Sequence, residues 1–281
     1  MAQRASVQRS FATPFRTGFD RLRYYAPTIL IAVAVLVIWE VSVTVFNIQQ
    51  FLLPKPSAIF AELSREIQLT RNGQSILFEA ARATLWEAVG GFVLGSIAGI
   101  LVALVTVRWV IVNQALMPFA IAANSVPIIA FAPIMNNWFG LTNPASKMAI
   151  VAIIVFFPVM INTVRGLTLI DPAQLELMHS YAAKPRKVLF DLRIPNALPY
   201  LFSALRVASS LSVIGAVVGE FFGGPRATLG VFITQEAAGF NFARAWTAII
   251  LSALIGISFY LLVLFAERRI MPWHASMRET S

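Results

Sequence analysis

The chain has 281 residues, of which 58% are hydrophobic and only 12% charged. A soluble domain carries roughly 25% charged residues, so composition excludes a soluble enzyme and points to a multi-span helical membrane protein. The net charge of +9 fits basic residues crowding one side of a bilayer, and the hydropathy leaves no soluble domain to bind nucleic acid.

In chain order, residues 1–25 form a basic, polar tail containing Arg4, Arg9, Arg16, Arg21 and Arg23. The apolar run that follows exceeds the 7–15 residues or so of a signal peptide, so it reads as an uncleaved first span over 26–46. About 20 apolar residues cross the hydrocarbon core. By that measure further spans fall at 84–107, 111–134, 146–165, 197–222 and 245–267, making six within a transmembrane region 26–270. Residues 271–281 form a short tail. With both termini cytoplasmic, fourteen Lys and Arg residues lie inside and seven outside, Lys147 among the latter; the excess sets the orientation.

Two loops are long enough to fold. The outer one, 47–82, predicts a short helix near 57–68 after the turn Leu53-Pro54-Lys55-Pro56-Ser57. The inner one, 166–196, opens with Asp171-Pro172, a helix N-cap followed by proline at the first helical position. Pro185 cannot continue the helix it enters, and a second short helix over 185–192 should end at Ile194-Pro195.

Glycines recur every four residues: Gly91, Gly95 and Gly99 in the second span, Gly215, Gly219 and Gly223 in the fifth. Each row lies on one helix face and admits a close neighbour; it reads as tight helix packing or as a sliding surface for gating, the fifth-span row as a seam between two copies of the chain. Prolines 118, 127, 133 and 158 interrupt the third and fourth spans. The segment 122–133, with Asn124, Ser125 and Pro127, suits a pore-lining helix and a kinked structural one equally. Ser209, Ser212 and Glu220 of the fifth span are further candidates for the pathway. Glu40 is the deepest acidic residue and should face protein, while Arg206 is within snorkelling reach of the cytoplasmic face.

The chain has no cysteine, which removes disulfides, thiolate metal sites and cysteine nucleophiles. Its two histidines, His179 and His274, lack partners at metal-ligand spacing. There is no GxxxxGK[ST] phosphate loop, so the chain should bind no cofactor itself, and any ATP must be bound by another chain. No nucleophile–base pair stands out, which argues against a membrane-embedded enzyme. Nor is there a buried acid–histidine relay of the kind a proton-coupled secondary transporter needs.

The segment 171–195 is basic and amphipathic. Periodicity alone favours a helix lying on the lipid surface over a docking helix. However, 180–199 (SYAAKPRKVLFDLRIPNALP) resembles the EAA loop of binding-protein-dependent ABC transporter permeases. That pattern is Glu-Ala-Ala, a glycine four residues later, and about a dozen residues on to Leu-Pro or Ile-Pro. Arg193-Ile194-Pro195 with Ala197-Leu198-Pro199 fits its tail. Counted back from Pro195, Ala183 stands at the glycine and Leu177, Met178 and His179 at Glu-Ala-Ala, with Glu176 one residue early.

FLLPKPSAIFAEL (51–63), ATLWEAVGGFVLG (83–95) and the Trp138-Phe139-Gly140 turn resemble the nitrate/sulfonate/taurine branch of these permeases. The segment 211–230 resembles the members for pyrimidine or riboflavin uptake. The resemblance covers about 30–265 and implies an all-α, MetI-like importer permease of the bacterial inner membrane. It implies four partners: a cytoplasmic ABC ATPase dimer, a periplasmic substrate-binding protein, a second copy of the chain and membrane lipid. It makes Leu177, Met178, His179, Ala182, Ala183, Lys184, Pro185, Arg193 and Pro195 the ATPase-coupling residues. A stand-alone secondary transporter is the alternative.

Overall fold

The computed structural model describes residues 18–272 apart from 72, 74 and 226. The expectations for the terminal tails and for His274 lie outside these residues. Long apolar runs in water-free surroundings must satisfy their own backbone, so they become helices. The described chain is accordingly all-α. In order it comprises α1 (Gly18–Val45), α2 (Pro56–Arg71), α3 (Ile76–Val107), α4 (Val110–Asn124), α5 (Ala132–Phe139), α6 (Pro144–Thr168), α7 (Pro172–Ser180), α8 (Pro185–Val188), α9 (Ile194–Phe221), α10 (Leu229–Ala238) and α11 (Phe242–Ile270). Five helices are long and apolar enough to cross a membrane; a sixth span exists if the bent pair α4–α5 counts as one.

The core is α6, sandwiched between α3 and α9. Val151, Val155 and Val159 run along its buried face against Ala88 of α3 and Ala204, Ala208 and Ala216 of α9. Small residues on the flanking helices let branched valines fill the gap, which is how membrane helices associate without a hydrophobic drive between them. Gly95 is the clearest case: a Cβ there would strike the Ala152 carbonyl oxygen, and one on Gly99 would come 2.9 Å from that of Phe156. The α9 row also turns toward α6 of its own chain. A Cβ on Gly215 would meet Ile154 Cδ1 at 2.7 Å, and on Gly223 the Leu141 side chain. The expected seam between copies at this row is therefore corrected, because α6 already occupies the face.

Helices α1 and α11 are peripheral. Most large apolar side chains of α1 are exposed, and Trp39 rests on Trp246 of α11 at 5.3 Å between ring centroids. Glu40 is not deep. It lies near the C-terminal end of α1, and its carboxylate accepts from the backbone N–H (3.0 Å) and Oγ (2.8 Å) of Ser57, in the first turn of α2. Arg206 Nε lies 3.2 Å from Glu267 Oε2, an ion pair that ties α9 to α11 while the arginine side chain stays partly exposed.

Two elements depart from expectation. The third span is not one helix over 111–134: α4 and α5 are separated by a 3₁₀ turn, Ile128–Phe131, and meet at 80°. Pro127 precedes that turn and Pro133 sits in the first turn of α5. The helix expected to stop at Ile194-Pro195 continues instead: α8 passes through a π-turn, Leu189–Arg193, directly into α9.

Substituting Gly95 with alanine should cost on the order of 1–3 kcal/mol, the usual range for overpacking. At Gly219 the nearest atom is the mobile Ile150 Cδ1, 3.3 Å away, and the same change should cost much less. Thermal unfolding of the detergent-solubilised variants checks the difference.

Candidate functional site

Functional features gather at both ends of α6. At its N-terminal end Asn143 caps the helix, its side chain accepting from the Ala145 N–H at 3.0 Å. One turn in comes Lys147, which is fully buried. Its Nζ donates to Asn136 Oδ1 of α5 at 2.9 Å and to the Leu141 carbonyl at 2.6 Å. Asn136 in turn donates from Nδ2 to the Phe222 carbonyl, just past α9, at 3.2 Å. Lys147 thus belongs to the core, at the end of the span counted as its outer end. A buried ammonium needs such partners because desolvation is otherwise too costly.

The carboxyl groups of Glu87 (α3) and Glu220 (α9) lie beside each other and near Lys147. Glu220 Oε2 accepts from the Gly230 N–H at 2.6 Å, and Thr84 Oγ1 accepts from the Leu229 N–H at 2.9 Å. These two bonds hold the start of α10 against α3 and α9. Five helices therefore converge on this polar node: α3, α5, α6, α9 and α10.

The expected pathway residues separate into two groups. Asn124, Ser125 and Pro127 come together, exposed, on the bend between α4 and the 3₁₀ turn. Ser209, Ser212 and Glu220 do not join them. All three are fully buried. The two serine hydroxyls donate within their own helix, to the carbonyls of Arg206 and Ser209 respectively, each at 2.7 Å. Their expected pathway role is corrected: α9 turns them into the helix core.

At the opposite end of α6, α7 stands clear of the bundle with no buried residue. Asp171 caps it, accepting from the Ala173 N–H at 2.9 Å. Leu177 and Tyr181 are exposed. The helix closes on Ala182, whose φ of +48° lies in the left-handed region, while the Ala183 N–H donates to the Met178 carbonyl at 3.0 Å. A left-handed residue ending a helix is ordinarily glycine. Ala182, and not Ala183, takes the backbone conformation that a glycine would favour. Moving the register by one also puts Glu176, Leu177 and Met178 at Glu-Ala-Ala. The surplus residue before Pro195 is absorbed by the π-turn, since such a turn is one residue inserted into an α-helix.

Two side chains fasten this loop to α6. Arg193 Nη1 donates to the Leu167 carbonyl at 3.0 Å. Asn196 Nδ2 donates to the carbonyls of Gly166 (2.8 Å) and Leu169 (2.9 Å). These are the carbonyls a helix C-terminus leaves unpaired. Asn196 escaped the sequence reading, although a lone amide between Pro195 and an apolar run was a usable signal.

A family model described as "Binding-protein-dependent transport system inner membrane component" matches residues 91–272. The formylaminopyrimidine transport permease protein ThiX of Halalkalibacterium halodurans is 33% identical over 238 residues, 85% of this chain and 92% of that one. The riboflavin transport system permease protein RibX of Chloroflexus aurantiacus is 33% identical over 243 residues, 86% of this chain and 87% of that one. The taurine transport system permease protein TauC of Escherichia coli is 25% identical over 248 residues, covering 86% and 88%. A crystal structure of an amino acid ABC transporter with histidines superposes with a TM-score of 0.55 at 16% identity, covering 72% of this chain and 97% of that one; at that identity it supports the fold.

Replacing Lys147 with methionine should destabilise the protein by about 3–5 kcal/mol, the cost of breaking a buried polar set by removing one partner. It should also free α5. Thermal unfolding and protease sensitivity of 132–143 measure the two effects.

Proposed function

The chain belongs to the family of binding-protein-dependent transport system inner membrane components and is a transmembrane permease subunit of an ABC importer, and from that premise we propose that α6 is the rod through which its coupling loop moves its broken span. The observation carrying this reading is that one helix is fastened at both ends: by Lys147 to α5 and by Arg193 and Asn196 to the loop. Twenty-five residues of helix span about 37 Å, enough to reach across the hydrocarbon core.

The loop end of the bundle is cytoplasmic, as are both termini, in keeping with the Lys/Arg excess on that side. A separate ATPase chain, present as a dimer, receives α7 through Glu176, Leu177, Met178 and Tyr181, with Ala182 making the turn and Lys184 and Pro185 starting the return helix. ATP is bound there and not on this chain. An extracytoplasmic binding protein delivers solute to the other end. Two copies of the chain enclose the path, with the exposed α4–α5 bend toward it and α1 toward lipid. Closure of the ATPases shifts the loop, and the two-state element biased by that motion is the α4–α5 bend. The solute is a small planar heterocycle. Two relatives at 33% identity are by name permeases for a formylaminopyrimidine and for riboflavin, whereas the taurine permease stands at 25%.

Uptake into proteoliposomes should require ATP, the ATPase and the binding protein together. Uptake driven by an ion gradient with the ATPase absent would overturn the importer mechanism in favour of a secondary carrier. Within the loop, Ala182→Gly should keep transport, since glycine removes the roughly 1–2 kcal/mol cost of a left-handed residue. Ala182→Val should lower transport at least tenfold with the protein still inserted, and Ala183→Val should be tolerated. The reverse pattern would restore the register counted back from Pro195.

A further inference from the structure

The broken span encloses a cavity of about 480 Å³. Val126, Phe131, Met135 and Trp138 of the broken span and Ile153 and Phe157 of α6 line it. No lysine, arginine or histidine lines it. Phe131 and Trp138 are 38% and 69% exposed. The volume lies within the roughly 300–1,000 Å³ of small-molecule sites, which are apolar with a few polar groups to fix orientation. Asn124 and Ser125 do not line it; they stand exposed on the adjoining bend, between the lining residues Ala123 and Val126 in sequence.

The chemistry of the walls selects the ligand. Aromatic faces gain from edge-to-face or offset contact with another ring, and the Met135 thioether adds a sulfur–ring contact. A small inorganic anion would lose its hydration and meet no cation, at prohibitive cost. An acyl chain would fill the volume but offer nothing to Asn124, Ser125 or the bent backbone. Irregular backbone at membrane depth is tolerated where protein or a water-filled cavity satisfies it, and discontinuous helices are where transporters build solute sites.

We propose that this cavity is a solute subsite within the permease itself, taking the ring of an uncharged planar heterocycle while Asn124 and Ser125 meet its polar edge. The inference rests on the importer reading given above and adds a site on this chain, apart from the binding protein's own.

The test uses the full transporter, permease with its ATPase, in nanodiscs without binding protein. The probe is lumichrome, a bare flavin ring, followed by its fluorescence, with nitrate as competitor. Saturable lumichrome binding is expected, weakened at least tenfold by Trp138→Ala and Phe157→Ala, within threefold of wild type for Trp138→Phe, and undisturbed by a hundredfold excess of nitrate. Absence of saturable binding would overturn the proposal. So would binding indifferent to both alanine variants, or displacement by nitrate. A single cysteine introduced as Ala123→Cys should react with a water-soluble maleimide and be protected by lumichrome. If it instead cross-links in full to a second copy, the cavity is a contact between copies and the proposal fails. ATPase retained beside a permease that does not bind lumichrome sinks the subsite alone; failure of wild-type permease to hold the ATPase sinks the importer reading.

Discussion

A lysine buried one turn inside a membrane helix constrains everything near it. Lys147 cannot reach water, so the chain must bring acceptors to it: the side chain of Asn136 and the carbonyl of Leu141. Supplying them fixes the angle at which α5 returns along α6, and through Asn136 and Phe222 it fixes the end of α9. Glu87 and Glu220 complete the node. The 80° bend between α4 and α5 therefore has an anchor as well as a cause: prolines weaken the helix there, and Lys147 holds the freed half in place.

The other end of α6 repeats the logic with less deeply buried groups. A helix C-terminus leaves carbonyls unpaired, and Arg193 and Asn196 answer those of Leu167, Gly166 and Leu169. The loop is thereby joined to α6, while α7 stays free of the bundle. Between the two ends the α6 valines lie against alanine and glycine with no slack. A densely packed rod of this kind transmits displacement and does not absorb it.

Much of this was legible in the amino-acid order. Six apolar runs by length yielded five long helices and the bent pair α4–α5, Asp171-Pro172 yielded the start of α7, and the four-residue glycine spacing marked faces of close helix contact. The rest depended on tertiary context. Lys147 was counted with the outer-side charges, and nothing in sequence announced its burial; only the partners folded around it make burial tolerable. Ser209 and Ser212 looked like pathway groups because nothing in sequence says which way α9 faces. Counting back from Pro195 passed over the π-turn at Leu189–Arg193, which has no propensity signature and arises where α8 runs unbroken into α9. The bend at Pro127 was half visible: proline announced a break, while its angle came from the anchor at the far end of α5.

The linkage through α6 is open to one direct measurement, made easier by a chain that contains no cysteine. Spin labels at Trp138→Cys and Leu262→Cys report the position of α5 against α11, and labels at Leu177→Cys and Leu262→Cys report that of α7. On trapping the transporter with ATP, both distances should change together, and in a Lys147→Met background the α7 change should persist while the α5 change is lost. An α5 displacement of undiminished size without Lys147 would contradict transmission through α6.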